Sequence, residues 1–427
     1  MCVYPRLVGR RNENYSNANN TGLSARASFF YNNYLVPCGH CSDCLKKRQN
    51  DLAARCALEA NRKGSMIFVT LTYEDSKVPL SVRLERVKKD TGEILYYNDI
   101  DFLERGSELD SFARSELSKL SKKHVRYVYS DLFDSVDGVI RYCITQSLCR
   151  RDVQLWLKAA RVAYKREFGS SLSDFSYVCC GEYGPNTARP HYHIAFFGLD
   201  SRVVFWLCQR WQLSYGFTYV QKVNSINKDG SNGYEICSRY IGKYMSKGCF
   251  ECESVKNGSA LKPRLMCSIG LGNQENNKVI SDNLLAYYRC YNLVGEFDIN
   301  NGLKKDGSYL SSADYDLLAS EVVKRSTLKV GDSVFPIPNR VKHYIWYEKN
   351  AKGYYVSSIV RREIASRLQF DFFEDFVRKC TKDYTLLPSR EITAQINEFI
   401  ISEFSCNQNA EKRSFASLQK FYKQSKF

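Results

Sequence analysis

The chain has 427 residues, a formal net charge of +16, 44% hydrophobic and 14% aromatic residues, and 17 cysteines. Its length allows one large domain or two to three smaller ones, and no run of 18 apolar residues is present to cross a membrane. The basic excess points to a polyanion, nucleic acid or an anionic membrane surface; 30 tyrosines and 24 phenylalanines suit base stacking, although a β-rich core would also raise that fraction.

An odd number of scattered cysteines fits reduced thiols in a cytosolic protein better than a disulfide framework. Met1 to Arg11 lacks the apolar stretch of a signal peptide. The polar run Asn12 to Asn33 reads as a flexible arm. Next, Cys38, Cys41 and Cys44 follow a C-x2-C-x2-C spacing, a candidate structural zinc site that needs a fourth ligand. His40 is cramped beside Cys41, so Cys249, Cys252 or Cys56 are the better candidates. The alternative is a set of buried thiols at a helix start capped by Asp43.

Leu45 to Arg62 shows helical periodicity, with Leu52, Cys56, Ala57 and Ala60 on one side and Lys46, Lys47, Arg48 and Arg55 on the other. Gly64 ends it. Met66 to Tyr73 is a near-continuous β-prone run, expected as a buried central strand. Between Glu74 and Arg141 the pattern weakens to a hairpin over Val82 to Tyr97, turning at Asp90-Thr91-Gly92, and a polar helix near Leu109 to Lys122. This stretch reads as an insertion. Asp152 to Phe168 is an amphipathic helix with Val153, Trp156, Leu157, Ala160 and Tyr164 on one face.

Two of the five histidines sit in Pro190-His191-Tyr192-His193-Ile194-Ala195-Phe196. Strand alternation sends His191 and His193 to one face and Tyr192, Ile194 and Phe196 to the other. Ser176 to Glu182 is a second strand, and Gly184-Pro185-Asn186 supplies a turn, so the pair reads as a hairpin. With Glu182 opposite His191, their Cβ atoms would lie about 5 Å apart on one face. That makes a site of two imidazoles and one carboxylate; a half-exposed strand face is the plainer reading.

A helix over Trp206 to Trp211, a strand over Gly216 to Val223 and a polar loop follow. Tyr234 to Lys247 then reads as a helix despite Gly242, ended by Gly248. Tyr240, Lys243 and Tyr244 share one of its faces at i, i+3 and i+4, the tyrosines separated by a rise of about 6 Å. Packing is the commoner fate of such a pair. Ile359 to Cys406 shows two amphipathic helices, the second from Ile392 to Phe404, and Lys412 to Phe427 is a basic, aromatic tail. This tail and the helix from Leu45 suit phosphates and bases, in which case binding falls steeply with salt; both read equally as solvated faces.

Four elements occur in the order Phe68 to Tyr73, Gly181-Glu182-Tyr183-Gly184, Pro190-His191-Tyr192-His193 and Tyr240-Ile241-Gly242-Lys243-Tyr244. As a set they resemble the HUH endonuclease family of rolling-circle replication initiators, notably those of the gokushovirus branch of the microviruses. Those proteins carry a segment similar to Pro37 to Cys44. The resemblance runs from about Val36 to Tyr344 and leaves the Glu74–Arg141 stretch and the last eighty or so residues uncovered.

The resemblance implies an α+β fold with a central antiparallel sheet carrying the metal hairpin, helices packed on one face, the tyrosine helix over the metal and a helical C-terminal extension. The expected divisions are an arm (1–35), a Cys-rich segment with the basic helix (36–64), a nicking core (65–250) with the insertion near 74–141, an associated extension (251–345) and a basic helical region (346–427). Glu182, His191 and His193 would hold Mn2+ or Mg2+, and Tyr240 or Tyr244 would attack the DNA backbone. Lys243 would stabilise the phosphate or a phenolate, or simply contact the backbone. The implied setting is the cytoplasm of a bacterial host, with a single-stranded DNA origin, a host polymerase extending the 3′-hydroxyl, and a host helicase, since no P-loop is present. Two rivals share the residues: a zinc hydrolase using an activated water, and a non-catalytic nucleic-acid-binding protein.

Overall fold

The computed structural model describes residues 6–9, 33–36, 38–39, 41–118 (without 89 and 92), 125–135, 138–184, 187–247, 253–272 (without 257), 291–324, 327–341 (without 331, 332 and 340), 347–380 (without 350, 352 and 354) and 391–399 (without 392, 393 and 397). Nearly all of the Asn12–Asn33 arm, His40, Gly92, the turn residues Pro185 and Asn186, Gly248, Cys249, Cys252, most of the helix expected from Ile392 and the tail from Lys412 lie outside the described residues. The chain divides into two compact units, one of Met1–Asp51, Gln274–Lys329 and Val334–Phe427, the other of Leu52–Asn273 and Val330–Ser333.

Strand β1 (Arg6–Gly9) pairs antiparallel with β2 (Asn33–Val36) in the first unit. Helix α1 (Ser42–Lys63) covers the expected span and ends at Gly64, whose N–H bonds the Ala60 carbonyl in a left-handed cap. Strand β3 (Met66–Thr72) follows. The stretch read as an insertion yields β4 (Leu80–Val87), β5 (Ile94–Tyr97), β6 (Asp101–Phe102), helix α2 (Glu108–Ser118) and β7 (Val125–Ser135). These strands join β8 (Gly138–Gln146) in an antiparallel sheet of order β5-β4-β8-β7, with β6 also paired to β4.

Helix α3 (Arg150–Phe168), strands β9 (Ser176–Tyr183) and β10 (Pro190–Phe197), helix α4 (Ser201–Ser214), strand β11 (Thr218–Val223) and helix α5 (Gly233–Lys247) come next. A short helix α6 (Glu253–Lys256) and strand β12 (Leu265–Cys267) complete the second unit's sheet, ordered β11-β3-β10-β9-β12. All of its pairings are antiparallel. The fold is α+β, as expected.

Helices cover this sheet on both faces, not on one. On the back face Ile67, Val69, Leu71, Tyr192, Ile194 and Phe196 pack with Val153, Trp156 and Leu157 of α3 and Val204, Leu207 and Trp211 of α4. On the front face Phe68, Cys180, Ala195 and Phe197 pack with Leu52, Cys56 and Ala60 of α1 and Tyr234, Cys237, Ile241 and Tyr244 of α5. The cause lies in β3, whose successive residues are nearly all apolar, so each face of the pleat needs its own cover. Trp211 donates its indole N–H to the Thr72 carbonyl at 3.0 Å, which fixes α4 against the end of β3. Buried Glu59 of α1 accepts from Arg62, from Ser176 Oγ at 2.8 Å and from the Gly272 N–H at 3.1 Å.

In the first unit, α7 (Tyr291–Val294) and α8 (Ser312–Lys324) precede the strand pairs β13 (Thr327–Val330) with β14 (Ser333–Pro336) and β15 (Glu348–Lys349) with β16 (Tyr355–Val356). Helix α9 (Ile359–Cys380) begins where the first C-terminal amphipathic helix is expected. Its Val360 and Ile364 share a core with Leu318, Ala319 and Val322 of α8.

Candidate metal centre and tyrosine helix

The hairpin forms in the expected register: Glu182 faces His191, and His193 faces Cys180. His191, His193 and Glu182 therefore share the front face, while Tyr192 is buried behind. Glu182 Oε2 lies 3.0 Å from Nε2 of His193 and 3.5 Å from Nε2 of His191. Cation bonds of about 2.0–2.2 Å, at angles between octahedral and tetrahedral, put donor pairs about 3.0–3.5 Å apart. The three side chains fit one divalent ion.

The far nitrogens are also engaged. His191 Nδ1 donates to the Arg189 carbonyl at 3.2 Å, which places the proton on Nδ1 and leaves the Nε2 lone pair for a ligand. His193 Nδ1 lies 3.1 Å from Thr70 Oγ1 on β3, so its Nε2 is likewise turned toward Glu182. Arg189 is itself held by Asp75 and by the Tyr73 carbonyl. The backbone that supplies its carbonyl is thus anchored to the strand end.

Helix α5 runs unbroken through Gly242 and lays its tyrosines against this cluster. The Tyr244 ring stacks on His193 with centroids 4.7 Å apart and planes 22° from parallel. Its hydroxyl donates to the Tyr240 hydroxyl at 3.0 Å. Phe68 also lies nearly parallel to His193, at 5.6 Å, and meets the edge of Tyr240 at 5.7 Å. Lys243 Nζ is 5.7 Å from the centre of the Tyr240 ring, within cation–π reach.

The tyrosines are not equivalent. Tyr244 is 7% exposed and belongs to the front-face core, whereas Tyr240 is half-buried. Burial, then the Glu182 charge and Tyr240, push the Tyr244 phenol well above its usual range. Burial also raises Tyr240, although the hydrogen bond from Tyr244 works in the opposite direction. Both are therefore neutral phenols near neutral pH in the metal-free protein.

Glu182, His191, His193, Tyr240, Lys243 and Tyr244 thus lie together. Sequence reasoning missed the bracing of the histidines: Thr70 is 123 residues from its partner, and the Arg189 carbonyl has no side-chain signature. The polar alternation Thr70, Thr72 inside an apolar strand was the available signal for the first.

The first unit holds the other candidate. The ligand atoms of Cys38, Cys41 and Cys44 lie within 4.8 Å of one another, with 4.0 Å between the Cys38 and Cys44 sulfurs. The Cys41 N–H donates to Cys38 Sγ at 3.3 Å. Cys56, a sequence candidate for the fourth ligand, is instead fully buried in the front-face core of the second unit, near Cys180 and Cys237.

Residues 140–249 match the family model of the ORF2-type replication-associated proteins. The match spans β8 through α5 and includes every residue of the triad and the tyrosine pair. It supports a replication initiator, and with it DNA replication as the process and DNA as the partner. No curated protein and no solved structure shows a match to the chain. Among the described residues no helix is long and apolar enough to cross a membrane.

Proposed function

We propose that the chain starts rolling-circle replication by nicking single-stranded origin DNA, as an HUH endonuclease of the type found in gokushoviruses. The reading is carried by one observation: a two-tyrosine helix face packs directly on a His/His/Glu cluster whose imidazoles are braced for ligation. A divalent cation, Mn2+ or Mg2+, held by Glu182, His191 and His193 would polarise the scissile phosphate and offset the charge that develops on its oxygens.

Tyr240 is the better placed first nucleophile, being the more exposed phenol and the acceptor of the Tyr244 hydrogen bond. Its oxygen attacks phosphorus in line and loses its proton to water. The bond from phosphorus to the 3′ oxygen breaks, and that oxygen leaves as a hydroxyl after taking up a proton. The products are a 5′-phosphotyrosine and a 3′-hydroxyl, which a host polymerase extends while a host helicase unwinds the duplex in the bacterial cytoplasm. After a full circle Tyr244 makes the second cut, and the released 3′ end resolves the first linkage to close the circle. Lys243 sits where its ammonium would steady a phosphate oxygen beside Tyr240.

The test uses end-labelled single-stranded DNA, Mn2+ and the full chain, followed by denaturing electrophoresis. Label migrates with the wild-type protein, less of it with Tyr240→Phe or Tyr244→Phe, and none with the double variant. A double variant that still carries label overturns the tyrosine assignment. Metal-dependent cutting with no label on the wild type means that water is the nucleophile and that the chain is a hydrolase.

A further inference from the structure

The front face of the sheet continues past the triad onto the edge strand. Thr72 faces His191 across β3 and β10, and Phe217 exchanges both backbone hydrogen bonds with Thr72, at 2.9 and 3.0 Å. Phe217 is therefore paired directly opposite Thr72. One row of side chains runs Phe217, Thr72, His191, Glu182; the next runs Tyr219, Thr70, His193, Cys180. Partners in an antiparallel register share a face, so Phe217 and Tyr219 lie on the metal face, two strands or about 10 Å from the histidines.

Both rings are in the open, Phe217 at 63% and Tyr219 at 68% exposure. Val220, between Tyr219 and the next front-face position, packs instead against the back core, as alternation requires. Gly216 sets this arrangement: it has φ +152°, and a Cβ there would collide with the backbone of Tyr73 and Glu74, so only glycine lets the chain leave α4 this closely along β3. Exposed aromatic rings spaced along a strand, in a chain of net charge +16, match unpaired bases on a polyanionic backbone.

We propose that Phe217 and Tyr219 form a stacking platform for two neighbouring unpaired bases of single-stranded nucleic acid, leading the strand toward the Glu182/His191/His193 cluster. Base binding follows from the register alone; its role in presenting a scissile phosphate rests on the nicking reading above. Thr70 and Thr72 form the short polar floor between the rings and the histidines, leaving room for the sugar-phosphate backbone to pass.

The experiment measures fluorescence anisotropy with labelled oligo-dA and with an abasic deoxyribose-phosphate strand of equal length. Phe217→Ala and Tyr219→Ala each weaken binding to oligo-dA by roughly 10-fold, from the 1–3 kcal/mol typical of one base–aromatic stack, and leave the abasic strand unaffected. Phe217→Tyr and Tyr219→Phe bind as the wild type does. Mn2+ binding by the double alanine variant stays unchanged, which confirms an intact sheet. Equal affinity of wild type and double variant for oligo-dA overturns the platform, as does an equal loss on the abasic strand. Label transfer run in parallel separates the two readings. A wild type that forms no adduct while the double variant loses base-dependent binding sinks nicking and keeps the platform. Adduct formation with unaltered base-dependent binding does the reverse.

Discussion

Thr70 Oγ1 lies 3.1 Å from Nδ1 of His193, on the neighbouring strand and directly opposite it in the register. The contact turns Nε2 toward Glu182 and holds the imidazole beneath Tyr244. Thr70→Val keeps the branched shape and removes only the hydroxyl. Loss of such a bracing partner typically costs about 10–100-fold in metal affinity. Calorimetric titration with Mn2+ should show that loss with an unchanged melting temperature of the metal-free protein. Unchanged Mn2+ affinity would mean that Thr70 fills space and no more.

Glu182 is the only carboxylate in the cluster with His191 and His193. Wild-type protein should therefore be stabilised by Mn2+ or Mg2+, by about 2.7 kcal/mol at a concentration one hundred times the dissociation constant. Glu182→Gln keeps the side-chain volume and removes the anionic donor, so its thermal shift with either ion should largely vanish. Chelation should stop label transfer by the wild type and added Mn2+ restore it. A thermal shift of equal size in Glu182→Gln would place the ion elsewhere.

The hairpin was readable because its information is local. Alternation from Pro190 separates the histidines from Tyr192 and Ile194, and a short connection sets Glu182 against His191. The tyrosine helix was readable for the same reason, its three residues being fixed by helical spacing. What spans long separations was not. A continuous apolar strand such as Met66–Thr72 does not say that both of its faces are covered, which is how the helices of the front face escaped. Phe217 and Tyr219 look like core aromatics in the sequence; only their pairing with Thr72 and Thr70 reveals an open face.

The stretch from Glu74 to Arg141 hides buried charge for the same reason. Arg83 and Glu85 read as the polar side of a hairpin, yet both are buried where β4 pairs with β8. Glu85 accepts from Arg83 Nε at 3.0 Å and from Arg141 Nε at 2.9 Å. Glu85→Ala would strand two guanidinium groups without their counter-charge. Breaking a buried ion pair from one side typically costs about 3–5 kcal/mol. Denaturant unfolding should show a loss of that order for Glu85→Ala. A loss below about 1 kcal/mol, the range of exposed pairs, would show that water reaches the site.

Cys38, Cys41 and Cys44 carry the last prediction. Their sulfurs are gathered at the first turn of α1, where the positive end of the helix favours thiolates, and the Cys41 N–H already points at Cys38 Sγ. Tetrahedral zinc with bonds of about 2.3 Å separates its sulfur ligands by about 3.8 Å, close to the 4.0 Å between Cys38 and Cys44. Among the described residues the cluster offers three protein donors, leaving one position for a further ligand or water. Native mass spectrometry of protein prepared with zinc should show one ion retained, and lost in Cys41→Ser. Zinc should also shield these thiols from maleimide. Cys237 is the internal control, since burial pushes its thiol up to about 12 and it should resist labelling with or without metal. If Cys38, Cys41 and Cys44 label equally fast in both conditions, the cluster is a packed group of thiols, and the start of α1 is held by burial alone.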